Sequence, residues 1–267
     1  MTSPPATITS LTNSRVKAAV RLRDRREREA TGLTIVDGPR ELLRAIDAGV
    51  EVAEAFVCEA LVRTPEAELA VNRLPPGAER LDVSEAVIGK VGFGDRSDGI
   101  VAIVRSPRLT MPDLSLPEDP LVVVIEGVEK PGNLGAILRT ADGAGAHAVI
   151  AADPRTDIFN PGAIRASLGT IFGRPVVSST TRDALDWLAA WGVRPIAARV
   201  DATTDYADAD LRGAVAIVLG SEADGLTAAW SDPRVSAARI PMHGLADSLN
   251  VSVAAAVLLY EAVRQRS

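Results

Sequence analysis

One stretch near the C-terminus restricts the fold more than any other: IPMHGLADSLNVSVAAAVLLYE, residues 240–261. From Val251 to Tyr260 it runs apolar for about three helical turns, with no polar face beyond Ser252, so the helix it forms is predicted to be buried. Ala254, Ala255 and Ala256 remove side-chain bulk and let a neighbouring backbone come close. Such a helix requires a layered body around it. Ahead of it, residues 240–244 form an uncharged loop leaving a strand, since Pro241 cannot continue a ladder. Asp247 or Ser248 is the expected cap, and the free N–H groups behind it favour a partial negative charge. A neutral loop meeting a helix start reads as a pocket wall, although an ordinary capped core helix has the same pattern.

A body of 267 residues, 47% apolar and 24% charged, is globular and large enough for two cores. Residues 106–120 hold Pro107, Pro112, Pro117 and Pro120 with little apolar content, which marks a linker. The expected division is a domain over 1–106, a linker over 107–120 and a second domain over 121–267. In the first domain, residues 14–30 read as one helix, followed by strands at 33–36, 52–58 and 100–104 alternating with helices at 39–48 and 66–72 and a short one capped by Ser84. The second opens on LVVVI at 121–125, a run suited to a central parallel strand, then a glycine-rich turn and a helix over about 136–144. Further strands are predicted at 147–152, 175–177, 195–200 and 214–219, with helices opened by Asn160 and over 183–191. That alternation is an open, mostly parallel α/β sheet, whose ligands bind beyond the carboxyl ends of its strands.

Several classes are excluded. No G-x-G-x-x-G follows the strand at 121–125 and no G-K-[ST] either, which argues against a nucleotide-dependent oxidoreductase and a phosphate-loop enzyme. One cysteine, Cys58, rules out a disulfide framework, and His147 and His243 are too isolated for a metal cluster, so no metal is expected. A polar N-terminus and the lack of an uninterrupted apolar span point to a soluble, cytoplasmic protein with no membrane partner. The net charge of −6 is unevenly placed: residues 1–110 carry 16 basic and 16 acidic groups, and the rest 13 and 19. The first 30 residues hold seven basic groups and three acidic ones. There Arg21 and Arg25 are candidates for phosphate contact, against a solvated helix balanced by Asp24, Glu27 and Glu29.

Three motifs complete the reading: EGVEKPGNLGAILRTADGAGA from Glu126, LGSEADGL from Leu219, and the C-terminal IPM, SLNVSVA and LYE. Together, in this order, they resemble the signature of the SpoU (TrmH-like) branch of the SPOUT RNA ribose 2′-O-methyltransferases. Asn133, Gly135 and Arg139 stand at the first motif's signature positions, Gly220 and Glu222 at the second's. ITSLTNSRVKAAVRLRDRR, the Gly38-Pro39 step and SDGIVAIV are similar to the family's ribosomal-protein-like substrate-binding domain. Glu126 and Lys130 depart from the family's usual acidic or amide residues there, which bears on substrate preference.

The resemblance implies an α/β protein with a C-terminal trefoil-knot methyltransferase domain, a smaller N-terminal α/β substrate-binding domain, S-adenosylmethionine as cofactor and a homodimer. By position it implies cofactor binding by the backbone at Gly220, Ile240 and Leu249, with Met242 nearby and Ala198 at the end of its strand. Arg139 falls on the arginine assigned to activating the ribose hydroxyl; since arginine rarely gives up its proton, stabilisation of an oxyanion or a phosphate suits it better. Asn133 and Ser248 are expected to orient the ribose, Asn250 to complete the catalytic set, Glu222 to fix Arg139 or its loop, and Arg165 to take a phosphate. The N-terminal domain points to 23S ribosomal RNA. The alternatives are a transfer-RNA methyltransferase of the same chemistry and a non-catalytic RNA-binding or assembly protein retaining the fold.

Overall fold

The computed structural model describes residues 7–93 and 98–267. It divides into two compact units, one running to Pro107 and including Phe159–Gly173, the other holding Arg108–Ile158 and Arg174–Ser267.

The first unit begins with α1 (Ser14–Arg21) and α2 (Arg25–Thr31), not the single helix expected over 14–30. The break has a local cause. Asp24 accepts from the Arg26 N–H at 2.8 Å and starts a new helix, while the buried Arg28 guanidinium donates to the carbonyls of Leu22 and Arg23 at 2.7 and 2.8 Å. Then come β1 (Leu33–Asp37), α3 (Pro39–Asp47), β2 (Val52–Val57), α4 (Pro65–Asn72), β3 (Glu79–Asp82), α5 (Glu85–Val91) and β4 (Ile100–Arg105). The sheet order is β1-β4-β2-β3, antiparallel except for β2 with β3. Phe56, Ile35, Val87, Ile88 and Val101 fill its core. Ser84 precedes α5 as expected but makes no side-chain cap bond; its hydroxyl is buried without a partner among the described residues.

In the second unit the proline-rich stretch is ordered: Met111–Asp113 forms a short 3-10 turn closed by Thr110 and Asp113, and Leu114 is buried in the core. β5 (Leu121–Glu126) is followed by α6 (Pro131–Gly143), which starts five residues earlier than expected because Pro131, lacking an N–H, suits a first helical position. β6 (Ala148–Ala152), α7 (Pro161–Ala166), β7 (Val176–Ser179), α8 (Thr181–Ala190), β8 (Arg194–Ala198), β9 (Val215–Leu219), β10 (Ser236–Ala238) and α9 (Val251–Arg266) complete the chain. Six parallel strands lie in the order β10-β8-β9-β5-β6-β7.

α7 lies outside this unit. Its segment belongs to the first unit, where Thr34 donates to the Phe159 carbonyl at 2.7 Å and Arg44 to that of Leu168 at 2.6 Å. A division by sequence position alone had put these residues in the second domain.

α9 packs on α6, and its end is tied down by Arg266, which donates to the carbonyls of Leu211 and Asp119 at 3.0 and 3.1 Å. It is less enclosed than expected: Val253 and Tyr260, on one face, are 47% and 53% exposed. Its cap also differs. Asn250, rather than Asp247 or Ser248, accepts from the Ser252 N–H at 2.9 Å and from its hydroxyl at 2.7 Å. Among the described residues no helix is long and apolar enough to cross a membrane, and no group of three or more His, Cys, Asp or Glu could hold a metal.

Candidate active site

The order β10-β8-β9-β5 sets four strands side by side and parallel, so their carboxyl ends share one edge. Ala198 ends β8 opposite Ala238, Gly220 follows β9, Ile240 lies just past β10, and Glu126 ends β5. Residues spread over positions 126–240 of the chain thereby reach one rim, which sequence spacing cannot reveal.

Beyond β9 the chain turns at once. Ser221 and Gly225 exchange backbone bonds at 3.0 and 3.1 Å, and the Asp224 N–H reaches the Ser221 hydroxyl at 3.0 Å. A side chain at Gly220 would put its first carbon 2.3 Å from the Gly225 backbone, so only glycine permits this hairpin. Its far end is held by Glu126, which is 3% exposed. That carboxylate accepts from the Thr227 N–H and the Thr181 hydroxyl, each at 2.7 Å, and from the Thr227 hydroxyl at 2.8 Å. A buried carboxylate with three donors is a brace, not a substrate contact. The departure at Glu126 thus bears on how the hairpin is mounted rather than on substrate preference.

Lys130 reaches Glu222 at 3.1 Å. Arg155 links Glu129 to Asp224, the latter at 3.0 Å. Glu222 was expected to fix Arg139 or its loop; its partner is Lys130 in the first motif's loop. Arg139, two turns into α6, is exposed, and its side chain makes no hydrogen bond or ion pair among the described residues. The first and third motifs also meet: Asn250 donates its side-chain N–H to the Asn133 side-chain carbonyl at 3.5 Å, a long bond. Asn250 therefore both caps α9 and faces Asn133.

The third motif's loop differs in kind. From Ile240 to Leu249 no backbone N–H donates to, and no carbonyl accepts from, another backbone group among the described residues. Met242 is half-buried, Ser248 is exposed, and Leu245 stands fully in solvent. Between Ile240 and Ala246 there is no Lys, Arg, Asp or Glu. Unspent amides on a neutral wall fit a ligand that carries polar edges and one positive centre.

Arg21, Arg25 and Arg165 lie in the first unit. Arg21 pairs with Glu27 at 3.3 Å and Arg25 with Glu29 at 2.6 Å. Arg165 bonds Asp37 at 3.0 Å and the Phe93 carbonyl at 2.7 Å, so it works inside its unit rather than standing ready for a phosphate. Burial pushes the Asp37 carboxyl above the usual carboxylate range, against the pull of the Phe93 N–H and Arg165. Arg155 and Thr227 were missed beforehand, as was the bracing role of Glu126. A carboxylate ending an apolar strand was a readable signal for Glu126; nothing in the sequence marked Arg155.

A parallel α/β sheet with three glycine- and amide-rich loops on one carboxyl edge, the first leading into a helix that carries Arg139, is the architecture of the α/β RNA methyltransferases. Residues 120–260 match the SpoU rRNA Methylase family and residues 13–102 the MRM3-like substrate binding domain. The chain belongs to the SpoU rRNA methylase family. It is 30% identical over 253 residues to the 23S rRNA (guanosine(2553)-2'-O)-methyltransferase RlmP of Bacillus subtilis (strain 168), covering 95% of this chain and 97% of that protein. Among solved structures, an RNA 2'-O ribose methyltransferase superposes with a TM-score of 0.87 at 41% identity, over 97% of this chain and 99% of that one. An AdoMet-bound rRNA methyltransferase from Sinorhizobium meliloti gives 0.86 at 30% identity, over 97% of each.

Proposed function

We propose that the protein transfers a methyl group from S-adenosylmethionine to a ribose 2′-hydroxyl of 23S ribosomal RNA. One observation carries this reading: the unspent backbone from Ile240 onward, uncharged as far as Ala246, begins at the same strand edge as Gly220 and Ala198 and leads to an asparagine that faces Asn133. The relatives' named activities, a 23S rRNA methyltransferase and an AdoMet-bound rRNA methyltransferase, agree with it.

S-adenosylmethionine, when bound, supplies an electrophilic methyl on a sulfonium. Backbone groups at Gly220, Ile240 and Leu249 would hold it, with Met242 and Ala198 against it; a wall poor in charge suits a reaction that disperses positive charge. Arg139 stabilises the negative charge that develops on the ribose oxygen or sits on the neighbouring phosphate. Its lack of a partner leaves its donors available for that task. Asn133, Asn250 and Ser248 orient the ribose, and Glu222 holds the first motif's loop through Lys130. The arginine-rich α1 and α2, with Arg21 and Arg25, take RNA phosphates by exchanging their exposed carboxylate partners for stronger anions; Arg165 braces its unit.

A second copy of the chain covers the exposed face of α9 at Val253 and Tyr260, making a homodimer. The chain after Leu219 is threaded through an earlier loop as a trefoil knot. The enzyme works in the cytoplasm, where its substrate is made.

The test is incubation with labelled cofactor and separate 23S ribosomal and transfer RNAs, followed by mass-spectrometric mapping of the product. Methylated ribose in 23S RNA is the expected result. Label on transfer RNA alone, on a base, or nowhere overturns the proposal. Light scattering of the purified chain tests the dimer; a monomeric mass at micromolar concentration removes it.

A further inference from the structure

Charge holds two loops of this site in register. The Arg155 N–H donates to the Val128 carbonyl at 2.9 Å, and the Thr156 N–H donates to the same oxygen at 3.2 Å, so the start of the loop after β6 is fastened to the first motif's turn. From that anchor the Arg155 guanidinium spreads to Glu129 on the first motif's loop and, at 3.0 Å, to Asp224 on the hairpin after β9. Lys130 and Glu222 cross the same gap at 3.1 Å. The two loops are close there: a first carbon added at Gly127 would lie 3.4 Å from that of Ser221.

We infer that Arg155 is a positioning residue for methyl transfer, setting the spacing between the loop that leads into Asn133 and the hairpin that carries Glu222. The inference rests on the methyltransferase reading. An exposed ion pair between two flexible side chains stabilises little. A single guanidinium shared by two carboxylates is a different case, because its planar fork, once ordered, fixes a distance and an angle for both partners. Its backbone anchor makes that fork a spacer rather than a tether. Arg155 also offsets one of the two negative charges of Glu129 and Asp224, which lessens their repulsion of an incoming phosphate backbone. It is not needed to build either loop. The hairpin keeps its Ser221–Gly225 bonds and its mooring to Glu126, and the first motif's turn keeps β5 and α6.

Arg155→Ala and Arg155→Lys in the full-length protein test this, with turnover, KM for 23S RNA, cofactor affinity and melting temperature measured side by side. The alanine variant should lose about tenfold or more in turnover, as small misplacements of reacting groups do, while melting temperature and cofactor affinity stay near the parent's. Lysine keeps the charge without the fork and should restore phosphate attraction, read in KM, but not turnover. Unchanged turnover in Arg155→Ala, full rescue by lysine, or a melting temperature that falls in step with activity overturns the inference. Should the parent chain methylate no RNA, the functional reading fails by itself. A distance measured between spin labels at Gly132 and Ala223 then still decides the spacing, since a distance and spread that Arg155→Ala leaves unchanged removes the role.

Discussion

The hairpin at 220–227 and the loop at 240–249 leave strands of one sheet by the same edge, yet they are built in opposite ways. In the hairpin, Ser221, Asp224, Gly225 and Thr227 all have partners for their N–H groups, and a buried carboxylate moors the end. Along the loop no backbone group meets another among the described residues, and Leu245 is fully exposed. One element is complete without a ligand; the other holds its donors and acceptors in reserve. In the proposed cofactor site the finished side would set the geometry and the unfinished one would supply the binding energy.

Four measurements break or sharpen that contrast. The largest effect falls on neither loop. Arg139→Ala should cut turnover by about 10²–10³-fold, the scale for removing one donor from a developing oxyanion, with cofactor affinity hardly changed. An equal loss of both would show that Arg139 belongs to the binding wall. Next, hydrogen exchange in 240–249 should slow by up to about a hundredfold when the cofactor is present at a hundred times its Kd, while the hairpin changes little. Equal protection of both elements would erase the distinction drawn here. Glu126→Gln removes the charge from three hydrogen bonds and turns the oxygen that meets the Thr181 and Thr227 hydroxyls into a donor; it should cost about 2 kcal/mol in a denaturant melt, loosening the hairpin but not the loop. Smallest, Asn250→Ala should cost about 1 kcal/mol as the α9 cap is lost, and any further fall in methylation measures its second duty toward Asn133.

Much of this was readable in advance where the cause is local. The valine-rich runs at 121–125 and 214–219 became the paired central strands β5 and β9, and Asn160 caps α7 as expected, its side chain accepting from the Gly162 N–H at 2.9 Å. The strand at 79–82 was not readable: ERLD is a charged sheet edge, where burial imposes no apolar alternation. The break at Leu22–Asp24 needed the Arg28 side chain to fold back on two carbonyls. The cap of α9 was misjudged by two positions or more, since Asp247, Ser248 and Asn250 are all competent caps and only the path of the loop selects among them.

In the site the same boundary appears. The glycines, amides and Arg139 were visible as residue types in order along the chain, whereas the partner of Glu222, the bracing by Glu126 and the bridging by Arg155 were not. What the sequence alone determined was the run of alternating strands and helices, the neutral wall at 240–246 and the identity of the groups able to do chemistry, because periodicity and side-chain type are local properties. Which carboxylate holds which cation, and which loop keeps its backbone in reserve, was decided only by tertiary structure. Those outcomes depend on strand order, and strand order brings together groups that the chain itself keeps tens of residues apart.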